Sequence, residues 1–308
     1  MKRGTIRHIL VFWLVVLGMD AEIFGQDPSQ KNNQEEEIFR VTLIGTGVPL
    51  VDPDRMGPSV LVEVANNKFL FDVGRGASIN IKKHGLELAE ITAVFLTHMH
   101  GDHILGLPDV WRSSYRPSNG NRQGPLKIFG PNGVSKMAAG LEAIYKNAWP
   151  SDIVKEPGFI VTEFDQEGVL FHEGALKVTA FFVDHGRAEA YGFKIEYRGK
   201  SVVISGDTAY SENLIKHATG TNLLVHEVFM ADQIMDKDRI PRLRNGHTID
   251  EDAAKVFDRA KPEVAVAYHL GVESKKLAKK MKRLYSGKFY AGEDMMTFDL
   301  GAKVKMVK

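Results

Sequence analysis

The run Thr92-Ala93-Val94-Phe95-Leu96-Thr97, followed at once by His98-Met99-His100-Gly101-Asp102-His103, decides how the rest of the chain is read. Thr92–Thr97 is β-branched and apolar, the composition of a buried strand. Directly behind it stand four side chains able to bind a metal within six residues: His98, His100, Asp102 and His103. In an extended or turning backbone His98 and His100 face one side, while Asp102 and His103 can serve a neighbouring position. All four converge only if the chain turns sharply, and Gly101 permits such a turn. The arrangement suits two adjacent cations better than one.

Further groups of the right chemistry recur downstream, each just behind a strand-like run. His185 follows Thr179–Val183, Asp207 follows Val202–Ser205, and His269 follows Val264–Tyr268. A single histidine in such a place is ordinarily a satisfied polar residue; three such positions beside the first cluster change that reading. Cysteine is absent, which excludes disulfides, thiolate nucleophiles, cysteine-ligated zinc and iron–sulfur clusters. Metal chemistry is left to carboxylates and to the 11 histidines. Lysine and arginine total 40 against 39 acidic residues, so no strongly electropositive nucleic-acid groove is indicated.

The ends and the body separate by composition. Lys2, Arg3 and Arg7 precede an apolar run, Ile9–Leu17, that is too short to span a bilayer. Residues 1–25 read as a signal peptide, with cleavage near Gly25/Gln26 and export to the periplasm or medium as the expectation. Removing them takes away Lys2, Arg3 and Arg7 with Asp20 and Glu22, leaving 37 charges of each sign and no membrane anchor. Residues 26–38 are a polar, flexible lead-in, and 39–308 form the folded domain. Within it, strands are expected at Phe39–Ile44, Ser59–Val64, Lys68–Phe71, Leu126–Phe129, Phe159–Phe164, Ala175–Val183, Ala190–Tyr197, Ser201–Ser205 and Asn222–His226. Helices are expected at Ala77–Lys83, Val134–Asn147, Ser211–His217, Asp250–Arg259 and Ser274–Leu284, and another after the histidine cluster. Such interleaving predicts a layered α/β domain whose strand ends carry the functional loops.

With these residues in hand, the chain resembles the metallo-β-lactamase fold superfamily. His98–His103 is similar to its HxHxDH signature, Phe71-Asp72-Val73-Gly74 to its upstream aspartate motif, and Ser205-Gly206-Asp207-Thr208 to its later one. The match runs in order from about Phe39 to the C-terminus. The resemblance implies a four-layer αββα sandwich, an α/β (α+β) fold with metals at one edge between two sheets. It implies one zinc on His98, His100 and His185, a second on Asp102, His103 and His269, and Asp207 bridging them. Two zinc ions per chain are thus expected, with manganese or iron as substitutes. Asp72 would orient a ligand or its loop.

A branch is indicated as well. His226-Glu227 and Gly246-His247-Thr248 resemble the His-Glu and Gly-His-Ser/Thr motifs of ribonuclease Z and its relatives, one group of arylsulfatases included. Phe129-Gly130-Pro131-Asn132-Gly133 is similar to the Gly-Pro-x-Gly element of that branch. The implied catalytic set is Asp102, Glu227 and His247, with Glu227 orienting His247 and His247 protonating the leaving oxygen. A water shared by two cations, its pKa lowered toward about 7, would be the nucleophile. The expectation is therefore a dinuclear zinc hydrolase of phosphodiester or sulfate ester bonds. A lactamase or lactonase-type ring-opening enzyme is the alternative, and a non-catalytic metal-stabilised binding module the alternative of another class. The tRNA-cutting bacterial enzymes carry a long basic arm between the motifs matching His185 and Asp207. Here only a short segment joins them, which argues for a small-molecule ester and against nucleic acid. Homodimers occur in the family, and no feature of the sequence demonstrates one here.

Other residues attract plainer readings. Gly45-Thr46-Gly47 lacks the third glycine of a dinucleotide loop. His84 and His217 sit near helix C-termini, where the dipole accounts for them. His172 is a surface strand residue and His226 a buried one. The basic run Lys275–Arg283 is a solvated helix face or an anion-steering rim, and Trp111, Tyr115 and Trp149 are core or pocket mouth.

Overall fold

Apolar residues alternate along the strands and build two facing sheets. The computed structural model describes residues 38–146, 158–233 and 236–308. In chain order the strands are β1 (Phe39–Gly45), β2 (Ser59–Val64), β3 (Asn67–Phe71), β4 (Ala93–Phe95), β5 (Leu126–Gly130), β6 (Phe159–Glu163), β7 (Gly168–Glu173), β8 (Leu176–Phe182), β9 (Tyr191–Tyr197), β10 (Lys200–Ile204), β11 (Leu223–Glu227), β12 (Val264–Tyr268), β13 (Phe289–Ala291), β14 (Thr297–Leu300) and β15 (Val304–Met306). The helices are α1 (Ala77–His84), α2 (Gly101–Ile104), α3 (Leu107–Ser114), α4 (Val134–Tyr145), α5 (Glu212–Ala218), α6 (Ile240–Leu243), α7 (Asp250–Ala260) and α8 (Ser274–Leu284). One sheet has the order β15-β14-β1-β2-β3-β4-β5-β6, the other β13-β12-β11-β10-β9-β8-β7.

Period-two alternation sends one set of side chains inward and the other outward. Val41, Leu43, Val60, Val62, Phe69, Phe71 and Phe95 of the first sheet meet Val178, Ala180, Phe193, Ile195, Val202, Ile204, Val225 and Val266 of the second in one buried cluster. On the outer face of the first sheet, Leu61, Leu70, Val94 and Ile128 pack on Ala77 and Ile81 of α1, Val110 and Trp111 of α3, and Val134 of α4. On the outer face of the second, Val203, Leu224 and Ala265 pack on Leu214 and Ile215 of α5, Val256 and Phe257 of α7, and Leu277 and Met281 of α8. The result is the expected αββα sandwich. Burying a side chain such as Phe257 contributes about 1.5–3 kcal/mol.

Strand direction then decides where the loops meet. β3, β4 and β5 are mutually parallel, as are β10, β11 and β12. β8 is antiparallel to β9, and β9 to β10, so β8 runs the same way as β10. The loops after β4, β8, β10 and β12 carry the expected ligands and Glu227 ends β11, and the loops after β3 and β4 share one edge because the strands are parallel.

Several local expectations need correcting. The third strand starts at Asn67, one residue before the expected Lys68, because Val64 pairs with Asn67 across a turn at Ala65-Asn66, where Ala65 takes a positive φ of 50°. Gly101 is not a left-handed turn: it opens α2, and an added Cβ would approach only Leu105, at 3.9 Å. The sharp turn belongs instead to His100, extended at φ −69° and ψ 148°, passing into helix. The sequence pattern indicates no strand beyond Leu284, yet β13 extends the second sheet and β14 pairs with β1. Trp111 and Tyr115 are core residues. Trp149, the signal peptide and the lead-in to residue 37 lie outside the described residues. Among the described residues no helix is long and apolar enough to cross a membrane.

Candidate metal centre

Asp72 organises the first half of the site. It follows β3 at a positive φ of 57°, a conformation that aspartate tolerates better than most residues. Its carboxylate accepts the Thr97 backbone N–H at 2.8 Å, the Thr97 hydroxyl at 2.8 Å and His103 Nδ1–H at 2.7 Å. The Thr97 hydroxyl, its proton given to Asp72, can only accept from His98 Nδ1, 3.0 Å away. Both imidazoles therefore carry their proton on Nδ1 and turn a bare Nε2 toward the site, the tautomer that metal ligation needs.

The second sheet supplies the rest. His185 Nδ1–H donates to the Gly246 carbonyl at 2.5 Å, which frees its Nε2 in the same way. Asp207 is aimed by Gly206, whose φ is +63° and whose missing Cβ would stand 2.9 Å from the Tyr191 carbonyl. His269 follows β12 in a left-handed conformation, φ 55°.

The expected ligands come together. His98, His100, His185 and Asp207 offer atoms within 4.8 Å of one another, as do Asp102, His103 and His269. Asp207 lies between the groups. Its Oδ1 is 3.3 Å from His103 Nε2 and 3.5 Å from His269 Nε2, while Oδ2 is 3.9 Å from both His98 Nε2 and His185 Nε2. Asp102 Oδ2 is 3.4 Å from His103 Nε2 and 3.2 Å from His269 Nε2. Donors around a tetrahedral zinc stand about 3.3 Å apart when each bond is about 2.0–2.1 Å. The second group matches that spacing without rearrangement, and the first is slightly wider. His98 Nε2, His103 Nε2 and Asp207 Oδ1 are buried without a hydrogen-bond partner among the described residues. A buried polar atom left so costs about 1–3 kcal/mol; a divalent cation would satisfy all three. The donor set fits such an ion.

Charge is arranged to match. Burial works against ionising Asp207, but the imidazoles of His269 and His103 outweigh it and hold the carboxyl well below the usual range. Burial likewise opposes charge on His103, while Asp207 and Asp72 outweigh it and raise its pKa; a cation ligated at Nε2 would take the place of that second proton. For His98 burial wins, assisted by His103, and its imidazole is held neutral.

Glu227 and His247 meet beside this group. His247 Nδ1 is 3.0 Å from Glu227 Oε2 and 3.8 Å from Asp207 Oδ2. Glu227 is fully buried, accepts the Thr208 N–H, and is pushed well up by burial and then by the Asp207 carboxylate. His247 is pushed down by burial, yet its side chain keeps 23% of its exposure, against 4% or less for His98, His103, His185 and His269. It and the exposed His100 mark the mouth. His226 points elsewhere, its Nδ1 on the Glu227 carbonyl at 2.6 Å, as a buried neutral imidazole. Sequence reasoning missed Phe229. Its half-buried ring lies 4.7 Å from that of His247 and 5.6 Å from that of His269. Its only signal in the sequence is its place two residues after Glu227.

The sequence profile of the β-lactamase superfamily domain matches residues 68–270. Ribonuclease Z of Mycolicibacterium paratuberculosis is 34% identical over 245 residues, covering 75% of this chain and 86% of that protein. Among solved structures, the metallo-β-lactamase fold protein YhfI of Bacillus subtilis superposes with a TM-score of 0.69 at 18% identity, covering 85% of this chain and all of that one. The short form of human tRNase Z gives 0.65 at 23% identity, covering 84% and 98%. These relatives correct one expectation. A small-molecule ester in place of nucleic acid does not stand beside ribonuclease relatives of this similarity. A balanced total charge does not describe how charge is distributed at the mouth, so it does not exclude a nucleic acid there. The chain belongs to the β-lactamase superfamily, alongside ribonuclease Z, and is a metal-dependent hydrolase of the phosphodiesterase type.

Proposed function

We propose that the chain is a dinuclear zinc phosphodiesterase that cuts RNA. The observation that carries this reading is the two-faced Asp207, with one oxygen toward Asp102, His103 and His269 and the other toward His98, His100 and His185. A cation pair held there supplies charge neutralisation at phosphorus and lowers the pKa of attacking water. The side chains do the remainder. His98, His103 and His185 keep their bare nitrogens inward because Thr97, Asp72 and Gly246 hold the opposite ones. Glu227 fixes the His247 ring through Nδ1 and leaves Nε2 at the mouth, where a proton carried on the ring would pass to the leaving oxygen. Asp102 Oδ2 stands 3.2 Å from His269 Nε2 and 3.4 Å from His103 Nε2, where the three would share one cation. The names of the ribonuclease Z relatives support RNA as the substrate class.

Turnover of bis(p-nitrophenyl) phosphate and of a labelled RNA by zinc-loaded protein tests the reading. His247→Ala should lower kcat by about 10²–10⁴ with zinc content unchanged. Undiminished turnover in that variant would remove the proton-donor role. No turnover of either substrate by the unmodified protein would leave only the non-catalytic module.

A further inference from the structure

The rim beside the proton donor carries cationic charge that its neighbours do not neutralise. α6 and the turn behind it lead straight into His247: the N–H groups of Gly246 and His247 both donate to the Leu243 carbonyl, at 2.9 and 2.7 Å. From the other side the Gly246 carbonyl is held by His185, and a Cβ on Gly186 would stand 3.6 Å from the Asn245 carbonyl. Arg187 therefore sits next to the same turn. Arg244 is committed to Asp252 at 2.8 Å and Glu251 at 3.4 Å. Arg187, Arg239 and Arg242 are exposed and, among the described residues, make no ion pair. Of the nearby acids, Glu251 and Asp252 are paired with Arg244, and Glu189 is held by Asn132 and Tyr191. Asp236 caps its own turn through the Asp238 N–H. Asp184 and Asp238 are left against three guanidinium groups and the exposed Lys237.

Arg242 and Arg239 precede His247 by five and eight residues, in α6 and the turns on either side of it, a segment that the Arg244 N–H to Ile240 carbonyl and His247 N–H to Leu243 carbonyl bonds keep compact. Along such a segment successive phosphates of one strand would lead away from a scissile bond. Guanidinium forks suit phosphate oxygens better than ammonium groups do. Phe229 adds a half-buried aromatic ring beside His247, the kind of surface on which a base stacks.

We propose that Arg187, Arg239 and Arg242 form a phosphate grip that holds the nucleotides next to the scissile bond of an RNA strand. This rests on the RNA-cleaving reading above. The grip would anchor the substrate through its backbone, so it adds affinity without sequence preference.

The test is binding of a fluorescein-labelled, short single-stranded RNA to zinc-loaded, full-length His247→Ala protein, followed by anisotropy between about 50 and 200 mM salt. The same measurement is made with Arg187→Ala, Arg239→Ala and Arg242→Ala added together. Three lost phosphate contacts should make the slope of log Kobs against log salt shallower by about 2, with at least a tenfold weaker affinity at the lowest salt. A Lys279→Ala/Lys282→Ala pair on the basic helix α8 should keep the parent slope. An unmoved slope in the triple variant overturns the grip, as does an equal loss in the lysine pair or no RNA binding by the parent. Turnover of bis(p-nitrophenyl) phosphate by protein with His247 intact is scored separately. If it occurs while the slope is unmoved, only the grip fails; if neither it nor cleavage of the labelled RNA occurs, the hydrolase reading fails whatever the slope.

Discussion

Replacing Asp72 by asparagine isolates the support of the ligands from the ligands themselves. Asparagine keeps the size of the side chain and tolerates the positive φ of 57°, so the backbone has no reason to move. The hydrogen-bond pattern cannot be kept. Asp72 accepts at both oxygens: Oδ1 takes the Thr97 N–H, Oδ2 takes His103 Nδ1–H, and the Thr97 hydroxyl lies 3.1 Å from Oδ1 and 2.8 Å from Oδ2. An amide has one acceptor oxygen. If its NH2 faces His103, the imidazole must move its proton to Nε2 and gives up the lone pair aimed at Asp102 and Asp207. If its NH2 faces Thr97, two donors oppose each other in a buried site. One hydrogen bond to a charged group is lost either way, worth about 1.5–3 kcal/mol. That agrees with the roughly 10–100-fold loss of metal affinity found when such supporting groups are removed. Competition of the metal-free protein against a chromophoric zinc chelator measures it. Zinc held by Asp102, His103 and His269 should weaken by that factor. Zinc at His98, His100 and His185 should weaken less, since Asp72 reaches His98 only through Thr97. Unchanged affinity at both sites, with an unchanged thermal melt, would refute the argument that Asp72 sets the tautomers.

Further outcomes follow from the same geometry. Asp207→Ala should reduce bound zinc, counted by elemental analysis after gel filtration, from two per chain to at most one; a variant that still carries two would contradict a bridging role. Gly206→Ala places a Cβ 2.9 Å from the Tyr191 carbonyl at φ +63°, so it should cost at least about 1–2 kcal/mol and weaken zinc binding as Asp207 is displaced, both read from melts with and without zinc. His226 is buried and pushed down to about 4 by desolvation. Its charged form is excluded from the folded state, so stability is complete above the ordinary histidine range and is lost as pH falls from about 6.5 toward 4, on the order of 3 kcal/mol. Urea midpoints of metal-free wild type and His226→Asn should diverge over that window; parallel curves would show that His226 is not the group.

Contiguous chemistry was legible and distant chemistry only by its pattern. Four metal-capable side chains within His98–His103 declare a site because they share one short loop, and α7, β12 and α8 could be read because their periodicity is local. The strands β13 to β15 escaped because each is only three or four residues long. β14 is held by its pairing with β1, where Asp299 also meets Arg40 at 2.6 Å, an interaction more than 250 residues apart in the chain. Phe229 escaped because a single aromatic residue carries no spacing signal; the bridge of Phe229 to Ile249 places it against His247.

By itself, then, the order of residues determined which groups could bind metal and that each would stand at the end of a strand, since strand periodicity and turn chemistry act over a few residues. Only the tertiary structure decided that those ends share one edge, that Asp207 faces both ligand groups, and that Arg187, Arg239 and Arg242, which make no ion pair among the described residues, flank the turn leading to His247. Parallel pairing and the packing of two sheets bring together side chains that the chain separates by as many as 171 positions, from His98 to His269, and no short-range preference encodes that.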